Sequence, residues 1–186
     1  KLMNHVLRVV EFEISQLDIR FMATSGETQR RISKFYRRDS VVIFPPVDVE
    51  KLSAAAKKAL TKKKGEYYLY VGRLAASKHV DLVVQACTKL GVPLKVVGSG
   101  KGEEYLRSLA GETVEFLGGV SDEVLHQTYT DAKAFLFPAE DEDFGIVPIE
   151  AMGHGVPVIA HRSGGPRETI LEGRTGLFFD DLTVEG

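Results

Sequence analysis

Ala134-Phe135-Leu136-Phe137-Pro138-Ala139-Glu140-Asp141-Glu142-Asp143-Phe144-Gly145-Ile146-Val147-Pro148-Ile149-Glu150-Ala151-Met152 is the stretch that decides the fold of this 186-residue chain. The apolar run Ala134–Phe137, closed by Pro138, reads as a buried strand. Ile146 to Gly153 reads as a short helix with Pro148 in its first turn, where a missing N–H costs nothing. Glu142 then lies in the loop at the strand's carboxyl end, and Glu150 lies inside the following helix. Open α/β sheets gather ligands at that edge. The free N–H groups of Gly145, Ile146 and Val147 suit an anion there.

The same alternation extends in both directions. Strands are expected at Tyr67–Val71, Leu94–Val97, Val114–Leu117, Ala134–Phe137, Pro157–Ala160 and Leu177–Phe179. Helices are expected between them at Val80–Leu90, Glu103–Ala110, Asp122–Ala132, Ile146–Gly153 and Arg167–Glu172, with Ser121 capping the third. Continuous apolar runs imply strands covered on both faces. The reading is therefore α/β, a Rossmann-like parallel sheet with helices on both faces. Upstream, residues 1–17 read as a helix, Asp18–Ala23 as a strand and Glu27–Tyr36 as a helix with its cap near Ser25. Val41–Phe44 is a β-branched run stopped by Pro45-Pro46, and the Ala- and Lys-rich residues 48–64 read as a helical or loose linker.

Composition narrows the class. With 44% hydrophobic and 27% charged residues, the chain suits one globular α/β domain with a real core. It holds no apolar run long enough to span a bilayer. The lone Cys87 has no internal partner and sits in a helical apolar stretch, as a small buried hydrophobe in a reducing, cytoplasmic setting would. Charge is uneven: residues 1–64 hold 14 basic and 7 acidic side chains, residues 65–186 hold 10 and 19. Arg30, Arg31, Lys34, Arg37 and Arg38 surround Ile32, Phe35 and Tyr36 in a basic amphipathic helix. A solvated face packed by its apolar stripe is the commoner meaning; attraction to anionic lipid at a membrane's inner face is the other. Nucleic acid is not expected, because the motif-bearing part has no basic stripe with interleaved aromatics.

Glu-x7-Glu enclosing Phe144-Gly145, followed by Glu150-Ala151-Met152-x-x-Gly155-x-Pro157-Val158-Ile159-Ala160, resembles the donor-binding half of the family 4 retaining glycosyltransferases of the GT-B fold. Tyr70-Val71-Gly72-Arg73-Leu74 with Lys78 resembles that family's phosphate grip. Val97-Gly98-Ser99-Gly100 and Phe116-Leu117-Gly118-Gly119-Val120 resemble its nucleoside loops, and Gly164-Gly165-Pro166-Arg167-Glu168 its closing segment. Ordered motifs at compatible spacing are more specific than any one alone. The resemblance implies a remnant of the acceptor-side domain and crossover at 1–47, a linker at 48–66 and the nucleotide-sugar domain at 67–186, one half of a GT-B fold.

It also implies roles. Arg73 and Lys78, which opens the next helix, would hold a diphosphate, Arg as a fork and Lys as a point charge. Glu142 would position the donor sugar beside Phe144 and Gly145. Glu150 would accept from both ribose hydroxyls. Gly72 and Gly98 would let the chain approach the donor, Val120 would meet the base, and Ile146 and Val147 would add N–H groups. No cofactor and no metal are expected; the rival reading of Glu140-Asp141-Glu142-Asp143 as a divalent-metal site is disfavoured by the family's usual independence of metals. His79 is read as exposed and His154 as a helix-end residue. Details such as Phe44-Pro45-Pro46-Val47-Asp48 look most like mannosyltransferases of surface-polysaccharide assembly, with GDP-mannose as favoured donor and UDP-sugars open. Partners would be the donor, a saccharide or lipid-linked acceptor, and a missing N-terminal acceptor domain. The alternative is a nucleotide-sugar-binding module or partner subunit without turnover.

Overall fold

The computed structural model describes residues 2–48, 50, 52, 57 and 65–186. Most of the stretch 48–64, expected to be a linker, lies outside the described residues. The chain forms two compact units, Lys1–Pro46 and Val47–Gly186.

In the first unit, α1 (Leu2–Ser15), β1 (Phe21–Ala23), α2 (Gly26–Tyr36) and β2 (Ser40–Val42) follow one another, and β1 pairs with β2 in parallel. Ser25 caps α2: its hydroxyl accepts the Thr28 N–H at 3.0 Å, leaving one fewer orphan donor at the helix start. Arg37 stops the helix in the left-handed region, donating its N–H to the Ser33 carbonyl. Part of the basic charge is used locally. Arg30 and Arg31 reach Glu27 at 2.6 and 3.2 Å, and Arg38 donates to the Leu17 and Ile19 carbonyls. The expected apolar stripe of α2 is divided. Ile32 is buried and Tyr36 stacks on Phe21, but Phe35 turns outward beneath the Lys34 ammonium.

The second unit is built on six parallel strands in the order β5-β4-β3-β6-β7-β8. They are β3 (Tyr68–Val71), β4 (Leu94–Val97), β5 (Val114–Gly118), β6 (Ala134–Phe137), β7 (Val158–His161) and β8 (Gly176–Phe179). The helices between them are α3 (Val80–Leu90), α4 (Glu103–Leu109), α5 (Asp122–Asp131), α6 (Ile146–Gly153) and α7 (Pro166–Thr169). Side chains alternate across the sheet, so β3 feeds two cores. Tyr70 packs with Leu74, Val80, Val84, Cys87, Leu94 and Val96 on one face; Leu69 packs with Tyr129, Phe135, Ala151 and Val158 on the other. Each core needs its own cover of helices, which is why strand and helix alternate along the chain. This is the expected α/β fold, and β4, β6, α3 and α6 keep the expected bounds.

Two expectations are corrected. Lys78 does not open a helix: it ends a single 3-10 turn, Ala76–Lys78, and His79 intervenes before α3. His79 takes a left-handed φ of 50° and is partly buried rather than exposed, because the chain turns sharply there between the two helical pieces. The last helix is also short. Ile170 is already extended, and Glu172 bridges to Gly176, so the chain is drawn toward β8 instead of continuing the helix.

Candidate functional site

β3 and β6 are neighbours at the middle of the sheet, but the chain leaves β3 toward β4 and β6 toward β7. The loops at their carboxyl ends therefore part and leave a crevice, the place where such sheets bind ligands. On the β3 side three loops are stitched together. The Gly72 N–H donates to Val97 O at 3.0 Å, the Gly98 N–H to Gly118 O at 2.8 Å and the Leu74 N–H to Ser99 O at 3.0 Å. Gly98 has a φ of 121°, and a Cβ there would stand 2.0 Å from Gly72 O. Only glycine permits that approach. Val120 follows β5 and, like Val147, packs against the core beneath.

Across the crevice the Lys78 ammonium donates to the Glu142 carboxylate in a partly buried ion pair. The two residues are expected to hold the phosphate and the sugar, and the fold brings their charges together. The Tyr70 hydroxyl lies beside them. It donates to Arg73 O at 3.3 Å, and burial, reinforced by the charge of Glu142, raises its pKa. Arg73 itself is exposed. Glu142 is fixed from behind by the segment after β7: the Gly165 N–H donates to Glu142 O at 2.8 Å, and a Cβ on Gly164, at φ 62°, would lie 2.2 Å from the same oxygen. Gly145 begins α6 in the left-handed region with Phe144 buried before it, so the N–H groups of Ile146 and Val147 open the helix toward the crevice. In the acidic string, the Asp141 N–H donates to the Ser163 hydroxyl. Among the described residues no three His, Cys, Asp or Glu side chains converge as a metal centre.

Glu150 occupies different surroundings. Its carboxylate accepts from the Tyr129 hydroxyl at 3.2 Å and opens on a cavity of about 250 Å³ shared with Asp48, Asp122, Leu125 and His126. Burial pushes its pKa up, against the hydrogen bond from Tyr129. Below it His154 caps α6, buried, with Nδ1 at 2.7 Å from Glu150 O and Nε2 at 2.8 Å from His126 Nδ1. The expectation that His154 is a helix-end residue holds, but Tyr129 and His126 were missed as neighbours of Glu150. The spacing shows only which residues share a face: His126 and Tyr129 are three apart on α5, and Glu150 and the capping His154 are four apart, and neither spacing names the other helix as partner.

A family model described as glycosyl transferases group 1 matches residues 51–185. Similar proteins include a GDP-mannose-dependent alpha-mannosyltransferase of Mycobacterium tuberculosis, 35% identical over 70% of this chain and 36% of its own length. A glycogen synthase of Thermus thermophilus is 35% identical over 72% of this chain and 33% of its own. A sulfoquinovosyl transferase of Arabidopsis thaliana is 34% identical over 63% and 24%. Sucrose-phosphate synthase from Thermosynechococcus elongatus superposes with a TM-score of 0.78 at 26% identity, covering 96% of this chain and 50% of that one. The chain thus spans 24 to 36% of the length of these three curated relatives, and 50% of that solved structure.

Proposed function

The chain belongs to the group 1 glycosyl transferases, and we propose that it forms the donor side of a retaining, family 4 enzyme that moves a sugar from a nucleoside diphosphate to a saccharide or lipid-linked acceptor. The ion pair between Lys78 and Glu142 carries this reading. The bond to be broken joins the anomeric carbon to a diphosphate oxygen, so a residue for each side of that bond must meet at one place. Lys78 and Glu142 do.

As the bond opens, positive charge grows on the sugar ring and negative charge on the leaving diphosphate. Lys78 as a point charge and Arg73 as a fork stabilise the diphosphate, helped by the N–H groups of Ile146 and Val147. Gly72 and Gly98 let the backbone come close. Glu142 holds the sugar hydroxyls beside Phe144 and Gly145 and steadies the cationic ring. Glu150 accepts from the two ribose hydroxyls, and Val120 meets the base. The acceptor hydroxyl attacks from the face the diphosphate leaves: the new C–O bond forms, the electron pair departs with the diphosphate, and the acceptor's proton goes to a diphosphate oxygen. Configuration is retained, and no metal is required.

GDP-mannose is the favoured donor, supported by the relatives named as GDP-mannose-dependent mannosyltransferases, and surface-polysaccharide assembly the favoured setting. Residues 1–47 are read as the remnant of the acceptor-side domain, working in the cytoplasm at the membrane's inner face. No helix among the described residues is long and apolar enough to cross a membrane. Calorimetry with GDP-mannose, UDP-glucose and ADP-glucose in the presence of EDTA tests the reading. GDP-mannose should bind tightest and the chelator should change nothing. Binding that needs a divalent ion, or no binding of any donor, overturns it.

A further inference from the structure

α5 and α6 are joined by an aromatic stack that the transfer chemistry does not use. The His154 ring meets that of His126 edge to edge, with centroids 5.0 Å apart and a 2.8 Å contact between Nε2 and Nδ1, and stacks on that of Tyr129, with centroids 4.9 Å apart and planes inclined by 20°. His154 is 1% exposed and Tyr129 also 1%. The hydrogen bonds fix the tautomers. A carbonyl only accepts, so His154 Nδ1 carries the proton given to Glu150 O. With the ring neutral, its Nε2 holds a lone pair and accepts from His126 Nδ1–H. One end of the stack therefore grips the main chain of Glu150. The other end, the Tyr129 hydroxyl, grips its side chain.

We infer that Tyr129 and the His154–His126 pair are positioning residues for Glu150, aiming its carboxylate at the ribose hydroxyls of the donor. The inference rests on the reading of Glu150 as the ribose ligand. A carboxylate that accepts from two vicinal hydroxyls must hold both oxygens in one plane and direction. Glu150 has several rotatable bonds, and orienting it at the moment of binding would cost affinity. Tyr129 removes that freedom in advance, and His154 removes the play of the helix end beneath it. Both anchors, Tyr129 and His126, come from α5, which starts at Asp122 just after Val120. The stack thus locks the segment that meets the base to the carboxylate that meets the ribose, making one nucleoside cradle from two helices. The anchors touch no substrate themselves.

The test compares GDP with 2′,3′-dideoxy-GDP by calorimetry on the full chain, with UDP and its dideoxy analogue in parallel. Tyr129→Phe keeps the ring and removes only the hydroxyl; His154→Ala removes the ring and its hydrogen bond to Glu150 O, leaving the backbone N–H of residue 154 on that carbonyl; Glu150→Ala is the reference. Glu150→Ala should weaken the natural nucleotide about a hundredfold, the loss of two hydrogen bonds to a charged group, and Tyr129→Phe and His154→Ala about tenfold, the effect of misaligning one of them; all three should leave the dideoxy nucleotide unchanged. Glu150→Ala weakening both nucleotides equally would sink the ribose reading itself. If Glu150→Ala discriminates between the nucleotides while Tyr129→Phe and His154→Ala both behave as wild type, the positioning role is overturned and the ribose reading stands. Equal losses for both nucleotides in Tyr129→Phe and His154→Ala, as from general damage to the fold, also overturn it.

Discussion

Glu142 and Glu150 are separated by one turn of chain and one turn of helix, yet they are held by opposite means. Glu142 stands in a loop, its charge matched by Lys78 and its main chain pinned by Gly165. Glu150 stands on a helix facing a half-buried cavity, with a neutral tyrosine hydroxyl as partner and a pKa raised by burial. A carboxylate neutralised by an ammonium is suited to a place where charge is made and moved. A carboxylate that burial leaves short of compensation is suited to accepting hydrogen bonds from neutral hydroxyls, because those bonds satisfy oxygens that water would otherwise serve.

The largest expected effect separates the two directly. Glu150→Ala should weaken free nucleoside diphosphate by about 3 kcal/mol, two charge-assisted hydrogen bonds less the relief of desolvation. Glu142→Ala should leave that affinity nearly unchanged and erase the preference for the sugar-bearing donor. Similar calorimetric losses in both variants would mean that the contrast is only geometric. Next comes Arg73→Ala, which should lower affinity for nucleoside diphosphate by about 2 kcal/mol but not for the nucleoside, since only the diphosphate engages the guanidinium. A variant equally weak toward both would place Arg73 with the Glu150 cradle instead. Smaller still is the coupling of Lys78 to Glu142. A double-mutant cycle on thermal stability should give about 1 kcal/mol, shrinking in high salt, whereas a cycle pairing Lys78 with Glu150 should give none.

The smallest effect concerns stability against pH. Glu150 has a folded pKa raised above its ordinary 4.5, so the stability linked to its protonated form is present below that value and lost as pH rises through the folded pKa. At neutral pH its charge is a burden on the fold. Glu150→Gln should therefore melt higher than wild type at pH 7, with the gap closing as pH falls toward 4.5, while losing affinity for nucleotide. Calorimetric scans across that range check it; a variant less stable than wild type at pH 7 would refute the burden.

Sequence was most legible where one face or both faces of an element meet only apolar neighbours. Leu94–Val97 and Ala134–Phe137 could be nothing but buried strands, and the structure keeps them to the residue. Gly98, expected to let the chain approach the donor, and Gly164, read only within a motif, both stand where backbone meets backbone, a demand the sequence does not announce. Local turns were less readable. Lys78 and His79 look helical by composition, but a left-handed residue there depends on how β3 must return to α3. Long-range polar contacts were least readable. Nothing within α5 announces that Tyr129 meets Glu150, because that bond exists only once two helices lie on the same face of one sheet.

Cys87 gives the second unit a clock. Its thiol is 3% exposed on the buried side of α3, and burial raises its pKa to about 11. Near pH 8 only about one thiol in a thousand would be ionised even if reagent could reach it. A disulfide reagent added to the intact protein should thus react at the rate at which α3 lifts from the sheet, not at the rate of thiol chemistry on a surface. Because the chain has no other cysteine, the slow signal belongs to that one event, and a bound nucleotide that clamps the crevice should lengthen it in proportion to its occupancy.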